Sequence, residues 1–284
     1  MRKVLLATTA LVAMTGVTAA NADISISGNY EWEYTTNDDG SVWSDDGHIN
    51  VKAVNAADNG MTFTAFASLE TGSASSSNTE AAYVQVDGDF GTIIFGDIDD
   101  SMASTMDPGL GRNNDIETQV GLGSADTNVG IGSAADIHYK SPNIGGLQIG
   151  FSKDLTDADN SSTDGKSDMA IMYTMGGISM HYGATEDDSN FGIKGSLAGF
   201  TIAAGAKKTD GSSAKANDIA LKYTLANGIT LAALSANGTD SAGAKTKAQT
   251  YGASYSIVPG VKLNAETGNV GDTNYTWVAV NMSF

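Results

Sequence analysis

From Asp23 onward, apolar and polar residues alternate along the chain. Ile24, Ile26, Tyr30, Trp32 and Tyr34 share one parity, while Ser25, Ser27, Asn29, Glu31 and Glu33 share the other. Successive side chains of a strand point to opposite faces, so a period of two predicts strands with one apolar and one polar face. The pattern returns at Leu147, Ile149 and Phe151, again at Ile219, Leu221, Tyr223 and Leu225, and last at Val278, Val280, Met282 and Phe284. No stretch shows the i, i+3, i+4, i+7 spacing of an amphipathic helix.

Turn signals divide the strands. Short connections read at Asp58-Asn59-Gly60, Gly88-Asp89, Asn143 to Gly146, Gly176-Gly177, Ala198-Gly199, Asn227-Gly228 and Pro259-Gly260. Such pairs supply the positive backbone angles of tight hairpins. Longer polar connections lie between them, at about residues 36–47, 71–79, 97–134, 154–165, 185–189, 208–217, 237–247 and 268–273. Short and long alternate, which predicts sixteen strands with every tight turn and both chain ends on the same side.

An open sheet of that size would leave exposed edges, and closure removes them. A soluble sandwich would not place all its short turns at one end. A solenoid would show a fixed repeat, and none is visible. Tight turns at one rim and longer loops at the other match a barrel of the outer-membrane type, with its apolar face toward lipid. The fold expected is therefore all-β, a 16-stranded antiparallel transmembrane barrel.

Residues 1–22 read as a secretory leader. Arg2 and Lys3 precede an apolar run from Val4 to about Val17, and Ala20-Asn21-Ala22 fits a small-residue cleavage site. Cleavage after Ala22 leaves the barrel as residues 23–284. No later run approaches the ~18 apolar residues of a membrane-spanning helix.

Composition then narrows the function. The chain carries 33 acidic and 15 basic residues, a net charge of −18, and no Cys. Such a balance excludes the clustered cations of a nucleic-acid binder. The lack of Cys excludes disulfides, thiolate zinc sites and Cys catalysis. His48, His138 and His181 sit on separate strands, away from any hydrolase or metalloprotease motif. Gly130 to Ala135 fits G-x-G-x-x-A but lacks a flanking strand and helix, so it reads as loop. Asp157 to Ser161 opens like a calcium loop but lacks the Gly at position six and the closing Glu. The expectation is a non-enzyme without a cofactor, calcium at Asp99, Asp100 and Asp107 being the one candidate.

The stretch Ala82-Tyr83-Val84-Gln85-Val86-Asp87-Gly88-Asp89-Phe90-Gly91-Thr92-Ile93-Ile94-Phe95-Gly96-Asp97 resembles the strands leading to the constriction loop of Gram-negative general diffusion porins, the alphaproteobacterial type in particular. Tyr139-Lys140-Ser141-Pro142-Asn143 to Gly146 resembles the strand and turn after that loop. The terminal Phe284 resembles the assembly signal of outer-membrane barrels, although Ala279 stands where a Gly is usual. The resemblance implies a homotrimer in the bacterial outer membrane, bordered by lipid and lipopolysaccharide, that passes small hydrophilic solutes and ions. It also implies that the connection 97–134, loop 3, folds into the lumen.

Sixteen strands spaced ~4.8 Å and tilted ~40° enclose a backbone diameter of about 32 Å, leaving roughly 20 Å between side chains. Something must narrow such a lumen, and loop 3 is the longest connection. Its carboxylates Asp97, Asp99, Asp100, Asp107, Asp115 and Glu117 are candidates for the constriction, with Arg112 its single cation. Inward parity assigns Lys52, Lys140, Lys194, Lys222 and Lys262 to the facing wall. Excess carboxylate predicts cation preference. A substrate-specific channel on the same barrel, and a plugged structural or adhesive barrel, are the alternatives.

Overall fold

The computed structural model describes residues 22–72, 81–98, 100–108, 127–132, 135–155 and 165–284. The expected leader, except Ala22, lies outside them.

Sixteen strands follow one another: β1 (Asp23–Asn37), β2 (Gly40–Ala56), β3 (Thr62–Glu70), β4 (Ala81–Gly88), β5 (Gly91–Ile98), β6 (Ala135–Lys140), β7 (Leu147–Lys153), β8 (Ser167–Met175), β9 (Ile178–Ala184), β10 (Asp188–Leu197), β11 (Phe200–Thr209), β12 (Lys215–Thr224), β13 (Thr230–Thr239), β14 (Lys245–Val258), β15 (Val261–Val270) and β16 (Thr273–Ser283). One four-residue helix, α1 (Met102–Thr105), lies between β5 and β6. Each strand pairs antiparallel with its sequence neighbours, and β16 pairs with β1, so the sheet closes into a barrel.

Exposure separates the two faces. Side chains diverge on the convex outside of a barrel and converge on the concave inside. Ile24, Ile26, Trp32, Phe151, Ile219, Leu221 and Tyr251 are exposed, all on the apolar parity. Thr64, Ser68, His138, Asp168, Asp218, Thr250 and Glu266 are buried, all on the polar parity. The polar face is thus the inner one, and the apolar face forms the outer belt of a membrane barrel.

Three connections expected to be long are tight. β1 and β2 meet across Asp38 and Asp39, β9 and β10 across residues 185–187, and β15 and β16 across Gly271 and Asp272. At the first, the Asn37 side-chain carbonyl accepts from the amides of Asp39 and Gly40, and Gly40 takes φ +145°. Residues 36–47 read as loop because, apart from Val42 and Trp43, both faces there are polar or glycine. Above the apolar belt a hairpin is wet on both sides, so its strands lose the alternation that marks them below.

The seam between first and last strands is heavily bonded. Phe284 exchanges both backbone hydrogen bonds with Gly28. A Cβ on Gly28 would lie 2.5 Å from the Phe284 ring, so the terminal aromatic fits only against a glycine.

Candidate functional site

Cross-strand register places all five expected lysines on the inner face. Lys52 pairs with Ser25, Lys140 with Thr92, Lys194 with Ser179, Lys222 with Thr201, and Lys262 with Ser256. They lie on β2, β6, β10, β12 and β15, so they encircle the lumen instead of forming one wall opposite loop 3. Each is within four residues of the short-turn end of its strand. Lys207 is a further inward cation, with its Nζ 3.4 Å from the Asp188 carboxylate. It lies beside exposed Lys208, and parity alone distinguishes the two.

The inner wall also carries carboxylates that the sequence reading did not single out. Glu31, Glu33, Asp46, Glu70, Asp168, Asp188, Asp218 and Glu266 all point inward, each five or more residues from its short-turn end. Asp23 and Asp87 are the inward carboxylates of the short-turn ends. Several acids are held by donors. Trp277, 1% exposed, donates from Nε1 to Glu33 at 2.7 Å, and the Ser44 hydroxyl donates to the other Glu33 oxygen at 2.6 Å. The Tyr275 hydroxyl donates to Glu266 at 2.6 Å and lies 2.7 Å from the Thr250 hydroxyl. The Asn281 amide donates to Glu31 across the seam. Charge-assisted bonds of this kind fix carboxylate orientation and offset the cost of burial.

The described parts of loop 3 bind inward-facing side chains. The Met102 amide donates to the Ser152 hydroxyl at 2.6 Å, and that hydroxyl donates to Asp168 at 2.7 Å. The Ala103 amide donates to the same Asp168 oxygen at 3.0 Å. One carboxylate thus receives two donors and fixes the start of α1, whose first amides have no partner within the helix. Met102 and Met106 pack on Ala170 of β8. A Cβ on Gly150 would lie 2.3 Å from the Met106 sulfur, so that contact needs a glycine. Further along, the Asn190 amide donates to the Val129 carbonyl at 3.1 Å, and Val129 packs on Ala216. His138 lies within electrostatic reach of Asp168 and Asp100, and His181 within reach of Asp107.

The loop carboxylates divide. Asp97 leaves the expected lining: it pairs with exposed Ala82, on the outer face, while its neighbour Gly96 pairs with inward Tyr83. A register shift between Phe95 and Ile98, with Gly96 at φ +134°, distorts the strand there. The pairing with β4 runs unbroken to Asp97, which shares the outward parity of Ile93 and Phe95, so alternation alone turns it out. Asp100 is exposed and accepts from the Ser104 hydroxyl at 3.0 Å. Asp107 is half-buried. Asp99, Arg112, Asp115 and Glu117 lie outside the described residues. Among the described residues, no three His, Asp or Glu side chains converge as metal ligands would.

The family model for Gram-negative porins matches residues 7–276. No curated protein matches the chain at a significant level. Among solved structures, a triple mutant of the Rh. blastica porin superposes with a TM-score of 0.72 at 17% identity, over 92% of this chain and 100% of that one. The trimer form of OmpT, an outer membrane protein of Vibrio cholerae, superposes with a TM-score of 0.74 at 12% identity, over 93% of this chain and 99% of that one.

Proposed function

The chain belongs to the Gram-negative porin family, an outer-membrane diffusion channel and not an enzyme, and from that premise we propose that it passes small hydrophilic solutes and prefers cations. The observation that carries the preference is the inner wall: among the described residues, eight carboxylates in its long-loop half stand against the single cation Lys207. A row of one charge sign raises the local concentration of the opposite ion and repels its own.

Loop 3 narrows the lumen in this reading. Its support is that residues 102, 103 and 129 bond to inward side chains of β7, β8 and β10. A barrel interior of roughly 20 Å, estimated from strand number and tilt, has no other long segment to fill it. The channel works as a homotrimer, a state supported by the trimer form solved for the Vibrio cholerae neighbour.

The reversal potential across a planar bilayer with a KCl gradient tests the reading. A potential on the cation side is expected. Absence of conductance from folded protein would overturn the channel, and an anion-side potential would overturn the preference alone.

A further inference from the structure

Three methionines meet where loop 3 rests on the wall, and the channel makes no chemical use of them. Met102 and Met106, both 2% exposed, come from the α1 segment, and half-buried Met172 of β8 packs against them. They rest on a row of small residues: Gly150 of β7 pairs with Ala170 of β8, and Ala170 with Gly183 of β9. A Cβ on Gly150 would lie 2.3 Å from the Met106 sulfur and 3.1 Å from the Met102 sulfur. Both sulfurs therefore flank one point and are at most about 5.4 Å apart, the sum of those two distances.

A histidine borders them. His181 of β9 pairs with Met172 in register, and its ring leans over Gly183, with Cε1 3.0 Å from where a Cβ there would stand. The ring is thus aimed along the small-residue row beneath α1. His181 is 1% exposed. The Ala103 carbonyl and the Asp107 carboxylate face it from the α1 segment, yet neither ring nitrogen reaches hydrogen-bonding geometry.

These groups suit a soft metal ion. Methionine fills gaps in a core, so packing alone would account for the thioethers. It does not account for the imidazole, because a buried polar group without a partner is costly and an ion supplies one. Metal–sulfur bonds of about 2.3 Å place two sulfurs on one ion roughly 4 Å apart, inside the limit set by Gly150. Ligand type identifies the ion. Neutral thioethers select Cu(I), whereas carboxylates and carbonyls suit calcium and magnesium. The chain has no Cys, so no thiolate competes for such an ion. The Asp107 carboxylate beside His181 offsets a single positive charge.

We infer that Met102, Met106 and Met172 form a Cu(I) site, with His181 as its nitrogen ligand. Bound there, the ion ties the α1 segment to β8 and β9. The site depends on the seating of α1 against the wall and not on whether the channel prefers cations.

Anaerobic competition between the purified protein and bicinchoninate for Cu(I) tests it. Wild type should withdraw one Cu(I) per chain. M102L/M106L keeps the apolar volume and should bind at least tenfold more weakly. Met175→Leu, which removes an exposed thioether at the short-turn end of β8, should bind like wild type. Equal affinity in wild type and M102L/M106L overturns the site. So does an X-ray absorption spectrum of Cu(I)-loaded wild type that shows no sulfur neighbours at about 2.3 Å. His181→Gln should also weaken binding about fivefold or more, and unchanged affinity overturns the imidazole assignment. Tighter retention of Zn(II) than of Cu(I) by wild type would overturn the choice of a soft ion. The absorption arm uses only wild type, so the test holds even if a variant fails to fold.

Discussion

The two halves of the inner wall differ in charge. Among the described residues, five lysines toward the short turns face Asp23 and Asp87, and eight carboxylates toward the loops face Lys207. The lysines stand on long flexible stems. Among the carboxylates, Glu33 at the seam is clamped by Trp277 and Ser44, and Glu266 of β15 by Tyr275. Lysines on a wall facing the loop-3 acids would set a field across the pore, whereas the register sets one along it. Selectivity then depends on which half an ion meets first, because each half admits one sign and retards the other.

Reversing the cationic half should have the largest effect. Wild type should pass more current in dilute KCl when the short-turn side is held negative, since cations and anions then both enter through the half that admits them. K194E/K222E/K262E should abolish that asymmetry and raise the cation-to-anion permeability ratio about threefold or more. Equal wild-type currents at both polarities would break the contrast. The asymmetry should also fade in 1 M salt, where the screening length falls to ~3 Å.

Removing residues 99–117 should come next, raising single-channel conductance about twofold while blurring the difference between halves, because ions then pass farther from the wall. Unchanged conductance would place loop 3 outside the conducting path. Replacing Asp188 and Asp218 with Asn should lower the permeability ratio by roughly a third, and an unaltered ratio would remove the wall acids from selectivity.

The smallest effects concern the clamp on α1. Ser152→Ala removes the link between Met102 and Asp168 and should cost about 1–2 kcal/mol in denaturant unfolding. It should add open-channel current noise. A quiet channel with wild-type stability would show that α1 is held by its methionine contacts instead.

Much of this was legible in the chain. Alternation and glycine-bearing turns specified sixteen strands, their order and the inner face, because a membrane barrel is one layer thick and each residue meets either lipid or lumen. The inward parity of Lys52, Lys140, Lys194, Lys222 and Lys262 follows from the same rule. Height does not, since parity states a face and says nothing of distance from the rim. The lysines read as a wall because parity alone was used; set in strand order on β2, β6, β10, β12 and β15 they form a girdle. The outward turn of Asp97 was legible, because it shares the parity of Ile93 and Phe95, but it was assigned with the loop instead of with the strand it ends. The strand ends near Asn37 and Gly271 were hidden because hairpins above the membrane need no apolar face. The carboxylates Glu33 and Glu266 were visible as polar positions, but their donors come from other strands: Tyr275 meets Glu266 across the β15–β16 hairpin, and Trp277 meets Glu33 only when the sheet closes.

That closure also governs how the chain can fold. Every strand pairing except β1 with β16 joins neighbours in sequence. A hairpin closes a loop of a few tens of residues at most, whereas the seam closes nearly the whole chain, at an extra loop entropy of about 2 kcal/mol. The seam is therefore the step of highest contact order and the natural last event in assembly. Its bonds from Trp277, Asn281 and Phe284 reward only a completed ring. The first and last strands, β1 and β16, also lie beside one another. The barrel is therefore a circle whose starting point is arbitrary, and joining its ends and reopening it at another short turn should leave the same ring.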